Sequence, residues 1–64
     1  MIPITLPLEN KIRKYFGKLI KKKHKIIGMF EHEKQCFVRV DNGRFLINLP
    51  IEHQDYYDIL GKGE

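Results

Sequence analysis

The chain has 64 residues, one cysteine and a net charge of +4. A single domain over 1–64 is expected, and a chain this short buries only about 60% of its unfolded surface, so its core is small. Cys36 has no second cysteine to pair with, which excludes an intrachain disulfide and favours a reducing compartment, read here as cytoplasmic. No apolar run is long enough to span a membrane. The opening MIPITLPLEN lacks the basic start and apolar stretch of a secretory signal.

In MIPITLP, Ile2, Ile4 and Leu6 alternate with Pro3, Thr5 and Pro7. The pattern fits a short edge strand or an extended arm ahead of a helix. From Leu8 to Lys22 the period is helical: Leu8, Ile12, Tyr15, Phe16, Leu19 and Ile20 fall on one side. Lys11, Lys14, Lys18, Lys21 and Lys22 fall on the other, with Arg13 at the edge. Pro7 suits the helix start and Glu9 its positive end. Gly17 costs a helix about 1 kcal/mol relative to Ala, or caps a shorter helix ending at Phe16. The continuing stripe at Leu19 and Ile20 favours one helix.

The segment 25–50, KIIGMFEHEKQCFVRVDNGRFLINLP, reads as a three-stranded antiparallel meander. Asn42-Gly43 supplies the two positive φ angles of a type I′ turn. Taken as a two-residue loop, it sets Asp41 against Arg44, Val40 against Phe45, Val38 against Ile47 and Cys36 against Leu49. A first hairpin through HEKQ sets Glu31 against Cys36 and Phe30 against Phe37. Face one then carries Ile27, Met29, Cys36, Val38, Val40, Phe45, Ile47 and Leu49. Face two carries Ile26, Gly28, Phe30, Phe37, Arg39, Leu46 and Asn48. A one-residue slip would exchange these faces along the first strand. Pro50 suits the first turn of a helix over 51–60 that Gly61 stops. The expected fold class is α+β, with a basic amphipathic N-terminal helix on the meander and a short C-terminal helix.

Residues 9–25 hold eight Lys or Arg against one Glu, while 26–64 hold four against seven acidic residues. No acidic residue lies between Glu9 and Glu31, so intrahelical ion pairs do not account for the lysines. If the apolar stripe packs inward, the lysines face solvent as a set. Lys11, Lys14, Lys18, Lys21, Lys22, Lys23 and Lys25 are the candidate phosphate contacts, with Arg39 and Arg44 as helpers. Lysines position a backbone without reading bases, so modest sequence specificity is expected. Phe30 and Phe37, flanked by Arg39 and Asn48, offer a surface on which bases stack or a partner docks. The competing expectation covers that face with Tyr56, Tyr57, Ile59 and Leu60, or with a second chain.

The histidines at 24, 32 and 53 share no metal-ligand spacing with Cys36, so no metal site is expected. Cys36 reads as a small buried hydrophobe, and Asp55 and Asp58 as a solvated acidic face. No phosphate loop and no nucleophile–base set is present in the sequence, so neither an enzyme nor a cofactor is expected.

VDNGRFLINLP resembles the GR…P hairpin of AbrB-like swapped-hairpin DNA-binding proteins. GMFEHEKQCFVRVDN is similar to the second and third strands of Sm-like RNA-binding proteins, which also open with a helix. Each covers a short part of the chain, and no site residue is carried over from either. Both resemblances imply nucleic-acid binding. On its lysine set and charge asymmetry the chain reads as a small basic DNA- or RNA-binding protein, regulatory or from a mobile element. The alternative is a protein–protein interaction module, an inhibitor or adaptor, with a homodimer among its forms. A peripheral membrane binder ranks third, because the sheet already claims the apolar face of the helix.

Overall fold

The computed structural model describes residues 1–61. Its elements run β1 (Ile2–Pro3), α1 (Leu6–Phe16), a 3₁₀ turn (Gly17–Leu19), β2 (Lys25–His32), β3 (Gln35–Asp41), β4 (Leu46–Ile51) and α2 (His53–Leu60). The fold is α+β as expected, but the antiparallel sheet has four strands, in the order β1-β2-β3-β4, rather than three. The added strand is the opening arm, where Ile2 pairs with Met29 and Pro3 with Gly28. An edge position tolerates Pro3 because no ladder hydrogen bond is asked of it there.

The expected helix to Lys22 stops at Phe16. Gly17 adopts φ 59°, ψ −120°, a conformation that suits a residue without Cβ, and its N–H returns to the Arg13 carbonyl. Leu8, Ile12 and Phe16 turn toward the sheet as the periodicity implied, and Ile20 joins them across the 3₁₀ turn. Leu19 does not: beyond the break it is 69% exposed.

The first hairpin has the expected register, with Glu31 opposite Cys36 and Phe30 opposite Phe37. Its two-residue loop is Glu33-Lys34, both at positive φ (50° and 66°), as a type I′ turn requires. A bulge between Ile26 and Gly28 then reverses the assignment made for the start of β2. Ile26 pairs with Val40 and packs on the core, while Ile27 is pushed out to 40% exposure.

The second hairpin is two residues out of the expected register. Val40 faces Ile47, Val38 faces Leu49 and Cys36 faces Ile51. Side chains cause the shift. Asp41 Oδ1 accepts from the Gly43 N–H at 2.8 Å, and Asn42 Oδ1 accepts from the N–H groups of Arg44 and Phe45 at 2.9 and 2.8 Å. The Asn42 N–H donates to the Phe45 carbonyl at 3.1 Å within the connection, and ladder pairing ends at Asp41–Leu46, so four residues link the strands instead of two. Such Asx bonds compete with a bare two-residue turn. Because the slip is even, the faces keep their identity; Phe45 leaves the sheet and is 67% exposed. Pro50, expected to begin a helix, lies in the edge strand β4 opposite Phe37.

Met29, Cys36, Val38, Val40 and Ile51 of face one form a single core with Ile12, Ile20, Tyr56 and Ile59. Both helices therefore cover the same face. The second core that Tyr56 and Ile59 could have built on face two does not form. Residue Gly61 closes α2, its N–H bonding the Asp58 carbonyl at 3.1 Å.

Replacing Ile12, fully buried under α1, by Ala is expected to lower the unfolding free energy by about 2–5 kcal/mol in urea titrations. Replacing exposed Leu19 by Ala should change it by less than about 0.5 kcal/mol. Equal losses at the two positions would mean that α1 runs on through Gly17.

Candidate nucleic-acid interface

Docking of α1 through Ile12 leaves Arg13 beside it at the rim of the core. Its guanidinium meets three acceptors: Nε donates to Glu9 Oε2 at 2.9 Å, Nη1 to the Lys21 carbonyl at 3.0 Å and Nη2 to the His24 carbonyl at 2.7 Å. The planar fork of arginine suits such divergent acceptors, which a lysine ammonium cannot match. The Glu9–Arg13 pair spans one helical turn and by itself contributes only about 0.3–0.5 kcal/mol. Its larger effect is to orient the guanidinium toward the two carbonyls.

Those carbonyls belong to the lysine-rich loop that follows the 3₁₀ turn. The loop is also closed on itself. The His24 N–H donates to the Lys21 carbonyl at 3.0 Å, and the Lys21 N–H donates to His24 Nδ1 at 3.1 Å. That second bond makes Nδ1 the acceptor and leaves any ring proton of a neutral His24 on Nε2. "KKKHK" is thus a tied turn.

The nine cationic candidates separate into four places. Lys11 and Lys14 lie on α1 and line a groove with Tyr15, Asp55, Asp58 and Ile59. There Lys11 Nζ reaches the Ile59 carbonyl at 3.4 Å and Tyr15 donates to Asp55 Oδ2 at 2.9 Å. Cations are favoured at the last carbonyls of a helix, so Lys11 is partly engaged within the fold. Lys18, Lys21, Lys22 and Lys23 are all exposed in the turn and loop. Neither ion pair found among the described residues involves a lysine.

Lys25 begins β2 opposite Asp41, and by register both share face two with Arg39. Arg44 is exposed in the β3–β4 loop. The single array expected along one helix does not form, because α1 ends at Phe16: Lys11 and Lys14 stay on the helix, and Lys18, Lys21, Lys22 and Lys23 gather in the turn and loop beyond it.

On face two, Phe30 and Phe37 stack with centroids 5.3 Å apart and 24° between planes. The Arg39 guanidinium carbon sits 4.9 Å from the Phe30 centroid, and Arg39 Nε donates to Asn48 Oδ1 at 3.0 Å. The rings face each other and Arg39. Met1 extends this surface, since a Cβ on Gly28 would overlap the Met1 side chain. None of Phe30, Phe37 and Leu46 joins the core cluster, so this face is left uncovered by the described residues.

Two groupings escape sequence inspection. Arg13 reads as the edge of a charged stripe; only its spacing from Glu9 hints at a special role. The second grouping lies at the far end of β2. Tyr57 donates to Glu31 Oε1 at 2.8 Å, Cys36 pairs with Ile51, and His53 follows directly at the start of α2. Burial, aided by the Glu31 charge, pushes the Cys36 thiol up. The hydrogen bond to Glu31 does the same for Tyr57, that to Asp55 for Tyr15, and burial for Tyr56.

Comparison with known protein families, curated proteins and solved structures finds no match to this chain. Its helices are not long and apolar enough to cross a membrane among the described residues.

The raised groups share a sign. Each is an acid held in its neutral form by the fold. Their contribution is complete below the ordinary values of 9.0 for the thiol and 10.0 for the phenols, and is lost as pH rises through the higher folded values. The melting temperature should fall on going from about pH 8 to about pH 11, less steeply in Tyr57→Phe. An alkaline limb identical in wild type and Tyr57→Phe would show that the Glu31–Tyr57 bond does not matter to stability.

Proposed function

We propose that this chain is a small DNA- or RNA-binding protein that holds the phosphate backbone through the loop following α1. The observation that carries the reading is the lysine loop itself. Lys18, Lys21, Lys22 and Lys23 are exposed and outside the ion pairs among the described residues, and Arg13 ties their backbone at two carbonyls. Holding this backbone in a fixed turn reduces the backbone entropy lost on binding. Lys25 and Arg39 extend positive charge onto the edge of face two, while Lys11 and Lys14 contribute from the flank. Arg44 lies in the β3–β4 loop as a further contact. Lysine contacts to phosphate release counterions and carry no base information, so binding tolerates sequence and responds steeply to salt.

A second reading is favoured by a different observation. Face two exposes Leu46 (60%) opposite Asp41, and beyond the Arg39–Asn48 pair it carries the Phe30–Phe37 stack; Phe45 (67%) is exposed in the adjoining loop. Such a patch is suited to a protein partner or a second copy. It would operate beside the lysine loop and does not need it.

Anisotropy of labelled random-sequence single- and double-stranded DNA and RNA tests the first reading. Four lysine–phosphate contacts predict an affinity roughly 50- to 150-fold weaker at about 200 mM than at about 50 mM salt. Changing Lys21, Lys22 and Lys23 together to Glu should abolish most of that binding. No binding at the lower salt, or a salt slope unchanged in the triple variant, would overturn the reading and shift weight to the partner surface.

A further inference from the structure

Glu31, Cys36 and His53 have no metal-ligand spacing along the chain, yet each offers a ligand atom within 4.8 Å of the other two. The meeting follows from the sheet. Glu31 pairs with Cys36 and Cys36 with Ile51, so these three form one row across face one. His53 comes two residues after Ile51 and starts α2 beside that row. In the register expected from the sequence, Leu49 would have faced Cys36 and His53 would have lain two residues farther along. The even slip of β4 is what brings imidazole to thiol.

We propose that Glu31, Cys36 and His53 form a binding site for one zinc-class divalent cation, with the fourth position open to the cleft beside it. Sulfur, nitrogen and one carboxylate oxygen are the donor set of a borderline-soft metal; magnesium and calcium take oxygen ligands instead. Tetrahedral zinc with bonds of about 2.0–2.3 Å holds its ligand atoms about 3.5 Å apart. Closing from 4.8 Å requires movements of roughly 1 Å, which exposed Glu31 and His53 can supply by side-chain rotation. The cleft has a volume of about 450 Å³, and its lining includes Cys36, His53, Tyr15 and Lys34. It gives the buried thiol a path to solvent.

The neighbours have the roles that outer groups take around a metal. A ligating histidine keeps its second ring nitrogen on a backbone carbonyl or carboxylate. The Lys34 carbonyl lies 2.6 Å from His53 Nε2 and is such a partner. Tyr57 occupies Glu31 Oε1, leaving Oε2 for the cation. Binding a cation displaces the Cys36 proton to solvent as the S–metal bond forms.

Titration of the full chain with Zn²⁺ in a calorimeter, and with Co²⁺ followed by absorption, tests this. The proposal requires one ion per chain, release of a proton, and a thiolate-to-cobalt charge-transfer band. Cys36→Ser should abolish the band, and His53→Ala and Glu31→Gln should each weaken Zn²⁺ at least about tenfold. Because Cys36 is buried, circular dichroism of each variant shows whether it folds; exposed His53 keeps the test valid should Cys36→Ser fail to fold. Absence of the cobalt band, or Zn²⁺ affinity unchanged in His53→Ala, would overturn the site. The outcome is independent of nucleic-acid binding, which uses other residues.

Discussion

Burial of one sheet face under two helices is the constraint from which the rest follows. Ile12 from α1 and Tyr56 and Ile59 from α2 enter the same core as Met29, Val38 and Val40. With so few residues there is one core to fill, and both amphipathic segments are spent on it. Three consequences come from that choice. Arg13, next to Ile12, is fixed at the rim of the core, where its guanidinium reaches the loop carbonyls. Face two is left without a cover from the described residues. The start of α2 is brought beside the Glu31–Cys36 row.

The strand β2 connects the two candidate sites. It begins at Lys25, where the lysine loop ends, and finishes at His32, next to Glu31. At the usual rise per residue its ends are about 23 Å apart. The charge asymmetry of the sequence thereby becomes a spatial one. Cationic residues gather at the start of β2, while a thiol, a carboxylate and an imidazole gather at its other end. A polyanion at the first and a small cation at the second would meet fields of the appropriate sign without competing for residues.

Much of this was legible in the sequence because it depends on local period. The amphipathic stripe at Leu8, Ile12 and Phe16, the alternation in β3, and the pairing of Phe30 with Phe37 all follow from repeats of 3.6 and 2. The structure departs from the local pattern where a side chain competes with the backbone or where one residue breaks the period. Gly17 outweighed the apolar signal at Leu19. Asp41 and Asn42 built a four-residue loop from a sequence that also encodes a two-residue turn. The bulge at Ile27 exchanged it with Ile26. The Glu31–Cys36–His53 grouping depends on the β3–β4 register, and no local spacing contains it. For Arg13 the signal was the Glu9 spacing, but its carbonyl partners lie 8 and 11 residues away across a break in the helix.

In the proposed function the tie between a docked helix and the lysine loop is central, so the most direct measurement alters that tie at constant charge. Arg13→Lys keeps the net charge and removes the fork that holds the Lys21 and His24 carbonyls. Equilibrium affinity for a random-sequence oligonucleotide at low salt should drop several-fold in this variant while the far-ultraviolet circular dichroism stays that of the wild type. Undiminished affinity in a folded Arg13→Lys protein would mean that the charge of the loop acts without its fixed shape, and would contradict the account.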